Sequence, residues 1–359
     1  MPRPRTLPTR HAMHLVFAGI LHALILSSCE GCGSPSKTNT PGGDAAALTP
    51  SVPGISTLGF PAELKTYAPA LELSGVAWSS SLQRYLMVSD DTAQEGGKRT
   101  KHAPLIFSMT AAGALDPTPL RIEGLDELND PESITAGPDD TVFLATSHSL
   151  NKKGHLPASR RKLLHLAIAG RALRIIGQVD LTETRSAEGK TLLEIARLPA
   201  DGALDIEAIH FREAALYIGL KAPLATDGSA SILRMADPVA ALASGKIPVG
   251  AVAFWSRARL CQLREGRDVC AGIADMTSLP DGSMLLVGNA PKGMPSDGGG
   301  SLWRLDGADK PAVFLQQFPG LRPEGITITP DGASAAIVFD TGGQPPQWTL
   351  WTLPKRAIP

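Results

Sequence analysis

Acidic residues recur at one position of a repeated strand–turn–strand pattern in this sequence, an arrangement that lets a fold collect carboxylates from distant segments into one cation-binding or acid–base site. Five stretches align: SGVAWSSSLQRYLMVSDD from Ser74, ESITAGPDDTVFLATSH from Glu132, EAIHFREAALYIGLKAP from Glu207, ADMTSLPDGSMLLVGNA from Ala274 and EGITITPDGASAAIVFD from Glu324. Their first strands open on Ser74, Glu132, Glu207, Asp275 and Glu324, and their second strands close on Asp90, Asp91, His148, Lys221, Asn289 and Asp340. Carboxylates brought together from separate segments repel one another unless a cation, a proton or a basic side chain compensates. Oxygen-rich surroundings without cysteine favour Ca²⁺ or Mg²⁺ over Zn²⁺. Glu132, Glu207, Asp275, Glu324, Asp90, Asp91 and Asp340 are therefore the candidate metal or ligand-binding residues, and Ca²⁺ is the candidate cofactor. The plain alternative for each acid is a carboxylate that accepts backbone N–H bonds in the adjoining turn.

Lys221 and His148 close two of the strands and are the candidate contacts for an anionic group on a ligand. Lys221 has a second reading as the ion-pair partner of Glu207 or another rim acid, and His148 as a general base or a solvated turn residue. His102, His155, His165 and His210 form no ligand spacing. The sequence contains no G-x-S-x-G elbow, no H-E-x-x-H pair and no dinucleotide fingerprint. Ser186 to Thr191 ends like a phosphate loop, but Thr184 stands where the first glycine is needed. Arg160-Arg161-Lys162 is the densest basic run and reads as a solvated loop.

Each repeat has a short strand, a turn (Pro-Asp-Gly in two of them, Pro-Asp-Asp in one) and a strongly apolar second strand such as Tyr85 to Val88 or Met284 to Val287. The anchors lie 50 to 75 residues apart, with further strand-like runs between them: Leu105 to Met109, Leu163 to Ile168, Leu173 to Val179, Ser231 to Arg234, Val249 to Trp255, Leu302 to Leu305 and Val313 to Phe318. Four strands per unit at this spacing predicts an all-β fold, a single β-propeller of five four-stranded blades, with six as the alternative count. Gln347 to Leu353 supplies a third strand for the last unit, and the N-terminal segment Ile55 to Phe60 is expected to add the fourth and close the circle, which removes free sheet edges. Two stacked sandwiches are the competing architecture. Lys190 to Leu198 and Pro238 to Ser244 have helical composition and read as insertions.

The N-terminus points to export. Arg3, Arg5 and Arg10 precede an apolar run from Leu15 to Leu26, too short for a membrane span and suited to a signal peptide. Leu26-Ser27-Ser28-Cys29 resembles a bacterial lipobox, which implies a signal peptide over 1–28, acylation of Cys29 and a membrane partnership through that anchor. Glu30 stands where an inner-membrane retention signal carries Asp, so the expectation is the outer membrane of the cell envelope rather than the inner. Residues 29–54 are rich in Gly, Pro, Ser and Thr and read as a flexible tether, leaving 55–359 as the propeller domain. The chain carries 34 basic and 35 acidic side chains without a basic stripe, which argues against nucleic acid as a partner. Cys261 and Cys270 flank a hairpin tip at Glu265-Gly266 and are expected to form a disulfide, with metal binding by the pair as the rival reading. Cys32 has no assigned role.

Asp205 to Ile209 with Tyr217 to Pro223, Gly272 to Met276, and Pro323 to Ile326 with Val338 to Asp340 together resemble a family of bacterial β-propellers of unassigned function, distantly similar to phytase-like esterase propellers. The likeness runs from about residue 70 to 345. It implies a propeller and an exported location, and leaves catalysis open. The sequence departs from the family pattern at Lys221, where Arg is usual, and at Ala274-Asp275, where Arg-Asp is usual; both remove a guanidinium from the expected mouth. Three functions follow as expectations: a cell-envelope binding module for a small anionic ligand, a divalent cation or an envelope protein; a Ca²⁺-dependent phosphoesterase or esterase of phytase-like type; or a purely structural envelope protein.

Overall fold

The computed structural model describes residues 54–67, 71–90, 102–293, 299–342 and 344–354. Residues 1–53, which hold the expected signal peptide and nearly all of the expected tether with Cys29 and Cys32, lie outside the described residues, as does Asp91. Among the described residues no helix is long and apolar enough to cross a membrane.

Strands dominate because turn residues interrupt the apolar runs before any run reaches helical length. In chain order they are β1 (Ser56–Thr57), β2 (Leu73–Ser79), β3 (Arg84–Ser89), β4 (Leu105–Met109), β5 (Leu120–Glu123), β6 (Pro131–Ala136), β7 (Thr141–Thr146), β8 (Leu163–Ala169), β9 (Ala172–Val179), β10 (Asp205–Arg212) and β11 (Ala215–Ala222). They continue as β12 (Ala230–Ala236), β13 (Val252–Ala258), β14 (Leu260–Arg264), β15 (Arg267–Ser278), β16 (Met284–Asn289), β17 (Gly300–Leu305), β18 (Val313–Phe318), β19 (Arg322–Ile328), β20 (Ser334–Asp340) and β21 (Gln347–Thr352). Two short helices, α1 (Leu192–Ile195) and α2 (Pro238–Ala243), occupy the two stretches of helical composition. Thr191 and Glu194 start α1 with a reciprocal capping box, and the Asp237 side chain caps α2.

The fold is all-β and propeller-like. β2 to β5 and β6 to β9 are antiparallel meanders joined into an eight-stranded sheet by a short parallel pairing of β5 with β9. β10 to β13 form a four-stranded sheet, and β14 to β18 a five-stranded one in which β14 is an extra hairpin arm on a long β15. The last sheet runs β1-β21-β20-β19, so the N-terminal segment supplies its outer strand as expected, through only the pairs Ser56↔Trp348 and Thr57↔Gln347. The strand β5 is the element that the sequence reading did not anticipate; it offers only the four residues Leu120–Glu123.

Innermost strands touch in a closed cycle: β2 packs on β6, β6 on β10, β10 on β15, β15 on β19, and β19 back on β2. Apolar side chains fill the wedge between each neighbouring pair of meanders. Phe143 and Leu163 meet Ile209 and Leu233, Ile232 meets Ile273 and Trp303, Leu302 meets Ile337 and Phe339, Val338 and Trp348 meet Tyr85, and Leu86 meets Leu144. Each such fully buried side chain contributes roughly 1.5–3 kcal/mol.

Every innermost strand carries a bulge at the same place. The pairing skips Ser74, Glu132, Glu207, Ala274 and Glu324, the residues between Leu73 and Gly75, Pro131 and Ser133, Ile206 and Ala208, Ile273 and Asp275, and Pro323 and Gly325. A bulge leaves one residue unpaired and re-aims its side chain, and at Glu132, Glu207 and Glu324 it turns the acid out of the sheet register. Where glycine follows, at Gly75 and Gly325, the missing side chain lets the strands approach closely. A Cβ added at Gly75 would lie 2.9 Å from the Ser133 Cα.

Cys261 and Cys270 face each other across β14 and β15 and are disulfide-bonded, as the hairpin spacing predicts. The bridge rests on the loop that ends at Ser229, where Gly228 leaves room for it.

Candidate functional site

Strand starts and strand ends meet at one end of the ring, in a cavity of about 840 Å³. Its lining includes Asp90, Asp130, Glu132, Asp205, Glu207 and Lys221, together with Lys152, Arg160, Lys292 and Arg322.

One half of the mouth is acidic and has little cationic support. Oxygens of Asp90, Asp130 and Glu132 lie within 4.8 Å of one another. Asp90 accepts a hydrogen bond from the Ser74 hydroxyl at 2.7 Å. Asp130 is paired with Arg160, whose guanidinium is held by the Asn129 side chain at 3.2 Å and by Ser149. Glu132 sits on its bulge only 7% exposed, and no hydrogen bond or ion pair reaches its carboxylate among the described residues. The loss of water pushes Asp90 up to about 8, helped by the charge on Asp130 and opposed by the Ser74 hydrogen bond. Glu132 is raised well above the usual carboxylate range, first by desolvation and then by Asp90 and Asp130. Asp205, at the start of β10, is likewise raised to about 6 by burial, although Lys221 pulls it down.

The other half is neutralised from within. The Lys221 ammonium is paired with Glu207 and lies 3.4 Å from both oxygens of Glu324, linking β11 to β19. Arg322 bridges Glu324 and Asp340, at 2.7 Å to each. Burial works against a charged Lys221, but Glu207 and Glu324 outweigh it and hold its pKa above the ordinary lysine value. Of the two sequence readings of Lys221, the structure therefore places the ion pair with Glu207.

Two other expected residues are placed differently. Asp275 does not reach the mouth. The bulge on β15 falls at Ala274, so Asp275 is one position further on and points the other way, buried beneath the cavity. There it accepts from the Ser133 hydroxyl at 3.1 Å and from the Ile326 N–H at 2.8 Å, while Ser133 accepts from the Ile209 N–H at 3.0 Å. Asp275 thereby ties β6, β15 and β19 together. His148 is not at the mouth either, because the strand-end position equivalent to Asp90, Lys221, Asn289 and Asp340 is Ser147. The imidazole is buried, with Nδ1 at 2.7 Å from the Thr146 carbonyl and Nε2 accepting from the Leu181 N–H at 3.4 Å. Desolvation lowers its pKa to about 4, so the ring is neutral and pins a loop instead of holding an anion.

Asp130, Asp205, Arg160 and Arg322 were missed by sequence reasoning. A signal existed for three of them: Asp130-Pro-Glu132, Asp205-Ile-Glu207 and Arg322-Pro-Glu324 repeat a charge two residues before the bulge acid. Two residues is the strand period, so both charges favour one side. By sequence Arg160 belongs to a solvated loop, and only its folding back onto Asp130 brings it to the mouth.

No known protein family and no curated protein matches the sequence. Among solved structures, a hypothetical protein from Leishmania major is 10% identical with a TM-score of 0.46, over 84% of this chain and 91% of that one. The exo-β-1,3-galactanase of Phanerochaete chrysosporium is 8% identical with a TM-score of 0.45, over 79% of this chain and 60% of that one. Neither likeness bears on the chemistry of the mouth.

Proposed function

We propose that this chain is an exported, lipid-anchored five-bladed β-propeller that acts as a binding module of the cell envelope, with a divalent cation of calcium type held at the mouth by Asp90, Asp130 and Glu132. The supporting observation is the convergence of these three carboxylates together with the buried Glu132, whose carboxylate receives no hydrogen bond or ion pair among the described residues. A buried, unpaired carboxylate is costly, and a bound cation removes that cost. The donors are all oxygens, and the cavity has room for the waters that complete a coordination of six to eight. When bound, the ion supplies a Lewis-acidic centre that can bridge the protein to a carboxylate or phosphate group. Asp90 would be positioned by Ser74, Asp130 by Arg160, and Glu132 by its bulge. The closed cycle of innermost strands and the five apolar wedges support the count of five blades.

Calorimetric titration of the purified protein with CaCl₂ tests the reading. One ion per chain is expected, with binding lost in Asp90→Asn and in Glu132→Gln. Wild-type protein that takes up no calcium, magnesium or manganese would overturn it.

Phosphoesterase or esterase activity is the second reading, favoured by one observation: Lys152, Lys292, Arg160 and Arg322 face the same cavity and could hold an anionic substrate over the ion. Calcium-dependent turnover of p-nitrophenyl phosphate or p-nitrophenyl acetate, abolished by Glu132→Gln, would establish it. Binding of calcium without turnover leaves the module reading in place.

A further inference from the structure

The strand-end position that carries an acid in one meander carries a base in another. Next to the equivalent pairs Leu73↔Ser89 and Ile206↔Leu220, the following residue is Asp90 after β3 and Lys221 on β11. The bulge residues that face these strand ends include Glu132, Glu207 and Glu324, which occupy equivalent positions in their own strands. Inward glutamates are thus met by an acid on one side of the mouth and by an ammonium on the other.

We infer that the mouth contains two cation positions, and that Lys221 permanently fills the second with its own ammonium, so that this residue fixes the capacity of the protein at one divalent ion. The inference rests on the reading that Asp90, Asp130 and Glu132 form the first position. Lys221 is 6% exposed and lies between carboxylates contributed by Glu207 and Glu324, which are far apart in sequence. An ammonium is a compact point charge with freely rotating donors, and it can take the place of an ion among carboxylates without the planar geometry that a guanidinium needs. Asp205 stands beside this pair, feels the charges of both Lys221 and Glu324, and has no hydrogen bond or ion pair among the described residues. If the ammonium is removed while the backbone is kept, Glu207, Glu324 and Asp205 become an all-oxygen set of the kind that calcium takes. Arg322 remains on Glu324 and limits the charge left uncompensated.

The test is calcium alone, measured by equilibrium dialysis and calorimetry on the full chain as wild type, Lys221→Gln, Lys221→Arg and the double variant Lys221→Gln/Glu207→Gln. Lys221→Gln is expected to bind one ion more than wild type, Lys221→Arg the same number as wild type, and the double variant to return to the wild-type number. A Lys221→Gln protein with unchanged capacity overturns the inference and leaves the Asp90–Asp130–Glu132 reading standing. Wild type that binds no ion refutes that first position instead, and the gain of one ion in Lys221→Gln remains the mark of the second. If Lys221→Gln is unfolded without calcium, recovery of the native circular dichroism with one ion more than wild type supports the inference. Failure of calcium to restore the fold overturns it.

Discussion

Binding of calcium at the mouth should expel protons, and their number follows from the environment of Asp90 and Glu132. With its carboxyl raised to about 8, Asp90 is roughly nine-tenths protonated at pH 7. Glu132 is shifted in the same direction, first by burial and then by its acidic neighbours. Coordination requires both as carboxylates, so binding at pH 7 is expected to release about one proton from Asp90 with a further contribution from Glu132, and affinity should rise with pH between 6 and 8, with Asp90 alone giving up to about one decade per pH unit. Titration calorimetry in buffers of differing ionisation enthalpy reads the proton count directly. The calcium-free protein carries the matching signature. A carboxyl whose pKa rises on folding contributes stability that is complete below its unfolded value near 4 and is lost as the pH climbs toward about 8. The melting temperature without calcium should therefore fall between pH 5 and 8, and calcium should restore it most at the upper end. Calcium uptake with no proton release, or an affinity that is flat from pH 6 to 8, would refute the claim that desolvated carboxylates form the site.

Three perturbations address the scaffold. Asp275→Ala removes the acceptor for the Ile326 N–H and the Ser133 hydroxyl, and should cost about 1–3 kcal/mol per group left unsatisfied, measured by urea denaturation. Replacing both Cys261 and Cys270 with serine should lower stability by roughly 2–3 kcal/mol while leaving calcium affinity unchanged, since the hairpin arm lies outside the mouth. Gly272→Ala drives a methyl group against the Lys221 carbonyl oxygen, and should destabilise the protein by about 1–3 kcal/mol, with thermal denaturation as the readout.

How far the sequence could be read differs between scaffold and site. The strands Leu105–Met109 and Val313–Phe318, both short helices and the Cys261–Cys270 hairpin were legible because alternation, turn residues and caps are local properties of the chain, and the N-terminal closing strand was legible because the last unit lacked its fourth strand. The two-residue β1 and four-residue β5 are too short to carry a pattern, and β5 joins β9 only because the ring brings them side by side.

The same sequence determined that acids recur at strand starts, since Glu132, Glu207 and Glu324 fall on one repeated offset. Only the tertiary structure decided which acids share a cavity and which are neutralised. One residue of phase separates Ala274 from Asp275 and Ser147 from His148, and a slip of one residue in a strand reverses the face a side chain presents. A bulge shifts that phase locally, and charge balance at the mouth depends on side chains as distant as Lys221 and Glu324 meeting across the ring. Composition and spacing fix what charges a chain carries; closure of the sheets about a common axis fixes which of them must live together without water.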